Sequence, residues 1–386
     1  MTTTNRWNYL SVVVILFLAL ALFCTWQAHH TTDYTTGKLT NYNNYIIFRQ
    51  SYYHLMEGKN LYAPYPNEYW DLYKYSPTFA LLMAPLALLP TLVGLAGWNL
   101  LNVVFVLIGI NMLRGFDTKA KTLLLLFATV EMVTSLQNEQ SNGLLAGLII
   151  LGFALAERRK LFLATLCIVL SCYIKILGLA AFAIFLLYPD KWKAALYTVF
   201  WTAFLFVLPL CVVSWQGLMN QYAGWGNMLS HDHTTDGLSV MKLMQSWIGW
   251  EGNKLWIQLL GIVLFCIPLL RWQYYKIERY RLLLLSSVLI WIVIFNHKAE
   301  SPTFIIAVLG VSIWFFSGKR SVLDISLLVL CLLFTQLSAT DIFPREWRNG
   351  FFLSHAIKAI PCVLIWIRIV AEMLLMKPSE KVISVQ

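Results

Sequence analysis

Residues 122–175 read TLLLLFATVEMVTSLQNEQSNGLLAGLIILGFALAERRKLFLATLCIVLSCYIK. Apolar runs over 121–137, 142–157 and 160–174 are interrupted by two short polar stretches, Gln137-Asn138-Glu139-Gln140-Ser141-Asn142 and Arg158-Arg159-Lys160. A helix needs roughly 20 apolar residues to cross a bilayer, fewer where neighbours shelter its ends. Each run is near that length, and the stretches between them are long enough only for turns. The chain therefore passes back and forth through a membrane.

The same alternation extends outward in both directions. Apolar runs near 9–27, 92–113, 175–188, 193–214, 255–270, 281–296, 302–316, 321–338 and 355–375 bring the expected spans to about twelve. Over 386 residues, 59% are hydrophobic and 12% charged, more apolar than a soluble core requires. The expected fold is an all-α polytopic membrane protein, one integral-membrane domain over 1–386 without room for a soluble partner domain. Only Arg6 precedes the first run, and His29-His30-Thr31 offers no small-residue cleavage site, so this run reads as a retained span.

Charge sets the orientation. The segment 77–90 decides it, because a full crossing there would put Arg114, Lys119 and Lys121 on the side of the long polar loop 28–76. Read as re-entrant, it leaves all the basic clusters, Arg114–Lys121, Arg158–Lys160, Lys191–Lys193, Arg271–Arg281, Lys319–Arg320 and Lys377–Lys381, on one face. With Arg6 that face holds 17 Lys and Arg against six acids, whereas the other holds 11 of each. By the positive-inside rule the basic face is cytoplasmic, which puts both termini inside and the chain in an inner membrane. The net charge of +10 is thus explained by membrane orientation, and nucleic acid is not an expected partner. All seven cysteines lie in apolar runs, which argues against a disulfide framework or zinc cluster.

The polar residues that solubility does not need fall on the outer face. Loop 28–76 carries Asp33, Glu57, Glu68, Asp71, Arg49, Lys59, Lys74 and a run of tyrosines. Within it Tyr45, Phe48, Tyr52, Leu55 and Met56 recur at helical spacing, the pattern of a short helix lying on the membrane surface or packed under the loop. Glu139 and Asn142 belong to an outer turn rich in amides, which suits either a hairpin cap or contact with sugar hydroxyls or phosphate. Lys175 breaks the apolar run 161–188 at what becomes an outer turn, placed to snorkel or to meet an anionic headgroup. In Asn296-His297-Lys298-Ala299-Glu300-Ser301-Pro302, His297 and Lys298 could neutralise a phosphate while Glu300 orients them or accepts a proton. A second outer loop, 215–254, contains Ser230-His231-Asp232-His233, better suited to substrate contact or solvation than to a metal, whose ligand set would be incomplete. No Walker loop, dinucleotide fingerprint or Gly-x-Ser-x-Gly elbow is present.

The order of these features resembles the polyprenol-phosphate-mannose-dependent glycosyltransferases of family 87, membrane enzymes of the GT-C fold. The resemblance runs through Asn44-Tyr45-Ile46-Ile47-Phe48, Glu57-Gly58-Lys59-Asn60-Leu61-Tyr62, Tyr73-Lys74-Tyr75-Ser76-Pro77, Asn138-Glu139-Gln140-Ser141-Asn142, Lys175 and the His297 turn. It implies inverting transfer of a hexose, mannose by family default, from a polyprenyl-phosphate donor to a glycan or glycolipid acceptor on the outer side. No cofactor or metal is implied beyond the lipid-linked donor itself. The family pattern has an aspartate, the presumed base, where this chain has Asn44, and a neutral amide cannot take a proton. Asp71, Glu300 and Asp33 are the carboxylates that could replace it, Asp71 first. Arg49, Lys175, His297 and Lys298 then contact phosphate, and Glu139, Asn142, Asn44 and His231 contact sugar or headgroup.

Two other readings share these residues: a flippase for lipid-linked sugars, which needs anion contacts without a base, and a degenerate binding subunit of envelope synthesis. The topology makes a direct prediction. A reporter fused after Phe116 is expected to read cytoplasmic; an external signal would make 77–90 a full crossing and invert every later assignment.

Overall fold

The computed structural model describes residues 9–31, 40–231 and 237–377, and among these it is helical, with no strand. Asp33, the Asp232–His233 part of the second loop and the side chain of His231 lie outside the described residues. The apolar runs become α1 (Tyr9–His30), α5 (Thr91–Met112), α6 (Thr118–Gln137), α7 (Asn142–Glu157), α8 (Leu161–Ile174), α9 (Lys191–Val207), α12 (Lys254–Leu269), α13 (Glu278–Ile294), α14 (Phe304–Phe316), α15 (Val322–Leu330) and α16 (Ile360–Leu375). Between α8 and α9 the run Ile176–Leu187 is wound as a 3-10 helix. Smaller helices are α2 (Asn43–Met56), α3 (Pro77–Leu82), α4 (Ala84–Ala87), α10 (Trp215–His231) and α11 (Val240–Ile248).

Among the described residues, five helical stretches are by themselves long and apolar enough to cross a membrane: Tyr9–His30, Thr91–Met112, Thr118–Gln137, Lys191–Cys211 and Val322–Ala339. At 1.5 Å per residue, the 22 residues of α1 span about 33 Å, the thickness of a hydrocarbon core. Burial separates the bundle into layers. Helices α7, α13 and α14 are apolar on all sides and buried along nearly their whole length, the signature of central helices. Around them α1, α9 and α15 expose large apolar side chains, among them Ile15, Phe23, Leu196, Val199, Leu323 and Ile325. So much exposed hydrocarbon on several helices would be a liability in water, whereas lipid accommodates it.

Small residues let the central helices approach closely, as they do within membranes. A Cβ added at Gly147 of α7 would lie 2.5 Å from the backbone carbon of Phe105 on α5, so only glycine fits there. Buried polar side chains join neighbouring helices: Asn99 donates to Thr25 Oγ1 (3.0 Å), tying α5 to α1, and Asn102 Oδ1 accepts from Leu144 N (2.8 Å). The second bond satisfies an amide in the first turn of α7 that has no intrahelical acceptor.

One end of the bundle collects the basic clusters. Arg281 grips Glu157 through Nε (2.5 Å) and Nη2 (2.8 Å), and Tyr188 donates to the same carboxylate (2.6 Å). Arg279 pairs with Glu372 (2.7 Å), Arg159 with Asp190 (3.2 Å), and Arg271 caps the last carbonyls of α16 (2.6–2.8 Å). The opposite end carries α2, loop 57–76 and the turns at 138–141 and 295–303. Between α2 and α5, α3 and α4 have six and four residues, about 9 and 6 Å of helix, too short to cross. The segment starts with Ser76 bonded to Tyr173 O (2.6 Å) and ends with Leu86 and Ala87 carbonyls accepting from Tyr45 (3.1 Å) and Tyr53 (2.9 Å) of α2. Both ends of the segment are thus tied to elements at the end of the bundle that carries α2.

Of the two settings expected for α2, the structure shows packing under the loop and not exposure on the membrane surface, with Tyr45, Ile47, Phe48, Ser51, His54 and Leu55 all buried. Phe48 packs against the rings of Tyr75, Phe79 and Trp98 at centroid distances of 4.9, 5.5 and 5.1 Å, so loop, α3 and α5 cover it. The 215–254 loop is largely two amphipathic helices, α10 and α11, which bury Leu218, Gln221 and Met241. A test of the packing follows: Gly147→Leu should force α5 and α7 apart and lower the melting temperature in detergent sharply. Gly350→Ala, whose added Cβ meets nothing within 4 Å, should leave it within a degree or two.

Candidate active site

Helix α6 ends in a Schellman turn: Gln140 N donates to Ser135 O (3.1 Å) and Glu139 N to Leu136 O (3.2 Å). The left-handed position of this motif is usually glycine, yet here Glu139 occupies it with φ of 45°. An L-residue in that conformation costs roughly 1–2 kcal/mol. The carboxyl kept there is buried, one of its oxygens has no hydrogen-bond partner, and burial pushes its pKa well above the ordinary range. A strained residue carrying an unsatisfied buried carboxyl is where function is to be sought.

The turn is held from every side. Trp98 Nε1 donates to Glu139 O (2.8 Å) and Asn44 Nδ2 to Asn138 O (2.8 Å). Ser141 Oγ donates to Tyr75 OH (3.3 Å), and Asn142 Nδ2 to Pro302 O (3.0 Å). Lys175, at the break between α8 and the 3-10 helix, donates to Asn142 Oδ1 (2.7 Å) and Gln140 Oε1 (3.3 Å), and stands 5.9 Å from the Tyr75 ring centre. Gln140 Nε2 in turn donates to Glu300 Oε2 (3.2 Å). One amide thus links the ammonium of Lys175 to the carboxylate of Glu300.

Beside this network opens a cleft of about 240 Å³, lined by Asn41, Asn43, Asn44, Trp70, Asp71, Gln137, Asn138, Glu139, Gln140 and Glu300. Asp71 Oδ1 accepts from Leu72 N (2.7 Å) and Oδ2 from Lys74 (3.0 Å). Burial lowers the pKa of Lys298 to about 8, with the charge of Lys74 adding to the effect and Asp71 opposing it. Lys175 is likewise lowered to about 8, by burial against the opposing pull of Glu300, with Lys74 adding to the lowering. Near neutral pH both ammoniums keep most of their charge, so cations and carboxylates meet in one polar recess.

Loop 57–76 forms the wall that carries Asp71. His54 on α2 binds Glu68 (3.0 Å), its ring 3.9 Å from that of Tyr65, and burial holds its pKa down against the pull of Glu68. Tyr62, Tyr65 and Tyr73 donate to the carbonyls of Tyr75 (2.9 Å), Asn60 (2.8 Å) and Ser76 (2.7 Å). From α10, Gln221 bridges Lys59 O (2.7 Å) and Leu61 N (3.1 Å). On the far wall Gly237 N donates to His297 O (2.7 Å), an approach only glycine allows, since its Cβ would lie 2.4 Å from Ala299 N.

Of the residues singled out in the sequence, Asp71, Glu300, Asn44 and Glu139 line the cleft, and Lys175 and Asn142 join it through Gln140. Lys298 lies within electrostatic reach of Asp71 and Lys74, and the carbonyl of His297 accepts from Gly237 N. Arg49 goes elsewhere: its Nε donates to Ala87 O (3.2 Å), and its guanidinium lies 5.3 Å from the Tyr53 ring centre. Gln140, Trp98 and Tyr75 were not singled out. Gln140 and Tyr75 stand inside stretches already quoted, whereas Trp98 gave no signal beyond an indole within the apolar run 92–113.

The family model of glycosyltransferase family 87 matches residues 73–338. Glu139, Asn142, Lys175, His297, Lys298 and Glu300 fall inside the matched stretch, and Asn44 and Asp71 precede it. No curated protein matches the chain. With more than half of its 386 residues covered, and with the lipid-facing bundle described above, the chain belongs to glycosyltransferase family 87, a family of membrane glycosyltransferases.

Proposed function

We propose that this membrane glycosyltransferase transfers a hexose, with mannose the family default, from a polyprenyl-phosphate donor to a hydroxyl of a glycan or glycolipid, inverting the anomeric carbon, on the outer side of an inner membrane. One observation carries the reading. Two carboxylates, Asp71 and Glu300, line a single polar cleft; Lys175 is joined to Glu300 through Gln140, and Lys298 lies within electrostatic reach of Asp71.

In this reading the acceptor hydroxyl attacks the anomeric carbon as Asp71 takes its proton. The bond from that carbon to the phosphate oxygen breaks, and the lipid phosphate departs with the electron pair. Lys175 and Lys298, with His297, stabilise the charge that the phosphate gains, which is where preorganised cations help most. Glu300 serves as the orienting acid: through Gln140 it fixes the amide that Lys175 also binds. Glu139 and Asn142 meet the sugar or headgroup. Asn44 cannot serve as base, being neutral and committed to Asn138 O.

A flippase needs the same anion contacts but no base, and a degenerate subunit needs neither turnover nor base. Asp71→Asn should lower turnover of a polyprenyl-phosphate sugar by roughly 10²–10⁴-fold, the usual worth of a general base, and Glu300→Gln by less. Release of lipid phosphate from a panel of such donors measures this; unchanged rates in both variants would defeat the assignment of the base. The lysines add a pH test. Each is charged below about 8 and neutral above it, so the donor KM should rise as pH passes 8. Lys175→Met should raise the KM at pH 7 and flatten that dependence.

A further inference from the structure

At the same end of the bundle, 4% and 0% exposed, Lys358 and Glu131 form an ion pair that the mechanism above does not use. Lys358 Nζ donates to Glu131 Oε1 (2.7 Å) on α6 and to Ser301 Oγ (2.7 Å), and lies 5.4 Å from the ring centre of Phe304. The second oxygen of Glu131 has no hydrogen-bond partner. Lys358 follows Ala356, whose φ of 49° is again left-handed for a residue with a side chain. Well-packed apolar residues usually serve stability as well as a buried pair or better, so such a pair is most readily understood through register or function.

Its third partner shows what is held. Ser301 follows Glu300 and begins the 3-10 turn Ser301–Thr303, where Glu300 and Thr303 cap each other reciprocally. Asn142 holds that turn from the cleft side through Pro302 O (3.0 Å), and Lys358 holds it from beneath through Ser301. These two clamps, on adjacent residues, leave the Glu300 carboxylate facing Gln140.

We propose that Glu131 and Lys358 are positioning residues, which set the height and direction of Glu300, and through Gln140 of Lys175, by tethering Ser301 to α6 and to the 3-10 turn Ile357–Ala359 that leads into α16. The proposal rests on the reading of the cleft as the transfer site. Neither residue touches substrate, so their removal should change the geometry of the reacting groups more than the affinity for donor. A displacement of about 1 Å at a reacting group is enough for a 10²-fold loss.

The decisive variants are Ser301→Ala, which removes the tether alone, and the double replacement Glu131→Leu with Lys358→Met, which removes the pair while filling its volume. Both should lower kcat roughly 10- to 100-fold with donor KM changed less than about 2-fold. Lys358→Arg, which keeps charge and donors, should retain more activity than Lys358→Met. Amide hydrogen exchange over 297–303 should rise in both decisive variants, an outcome that does not depend on which donor the enzyme uses. Unchanged kcat and unchanged exchange in Ser301→Ala would overturn the proposal, as would a lowered melting temperature with wild-type kcat in the double variant. If the double variant fails to fold, Ser301→Ala decides alone. If the wild type turns over no polyprenyl-phosphate sugar, the functional reading has failed, and the exchange result still judges the tether.

Discussion

Five residues at the end of α6 impose the main constraint on this end of the molecule. Where the chain reverses between α6 and α7, backbone amides and carbonyls emerge from an apolar bundle, and each one left unpaired would cost free energy comparable to a hydrogen bond. The partners come from far along the chain: Asn44 at the start of α2 and Trp98 on α5 take two of its carbonyls, while Tyr75 in the loop, Pro302 before α14 and Lys175 after α8 bond the side chains of Ser141 and Asn142. Satisfying this turn therefore fixes where those elements stand. The polar lining of the cleft is a consequence of the same requirement, since groups that pair with the turn also face the space beside it.

This economy bears on the carboxylates. Asn44 binds a carbonyl oxygen, which requires a donor at that position, and a deprotonated aspartate would instead set its charge against Asn138 O. Replacing acid by amide at the helix start thus stitches α2 more firmly to the turn while removing a base. Asp71 and Glu300, on two other walls of the same recess, are where negative charge is still available to a substrate.

The sequence was most legible where the physics is coarse. Apolar run length located the membrane helices to within a few residues, as with α7, expected over 142–157 and found as Asn142–Glu157. The basic clusters meet at one end because charge excluded from hydrocarbon has little choice of place. Finer pairings were hidden. Glu131 and Lys358 sat among the few charges of two runs whose mean hydropathy absorbed them, although 227 residues apart they pair with one another. Arg49 was read as an anion contact from charge alone, but the short helix α4 ends beside it with an open carbonyl at Ala87 that takes its donor. The 215–254 segment looked like loop because its helices are short and half-polar, and only packing against loop 57–76 and the final turns stabilises them.

The unusual winding of Ile176–Leu187 works as a length adjustment. A 3-10 helix rises about 2.0 Å per residue against 1.5 Å in an α-helix, so these 12 residues reach about 24 Å where α-helical winding would give about 18 Å. The partner α8, with 14 residues, covers about 21 Å. Wound as an α-helix the run would end about 3 Å short of α8, and as wound it reaches about 3 Å beyond it; the difference of about 6 Å between the two windings is close to one α-helical turn. Lys175 sits at the junction of the two windings, so its height above the bundle is set by how tightly the chain behind it is coiled. Each residue converted from one winding to the other would change the length of the run by about 0.5 Å, a change felt at Lys175 and at the amides of Gln140 and Asn142 that it binds.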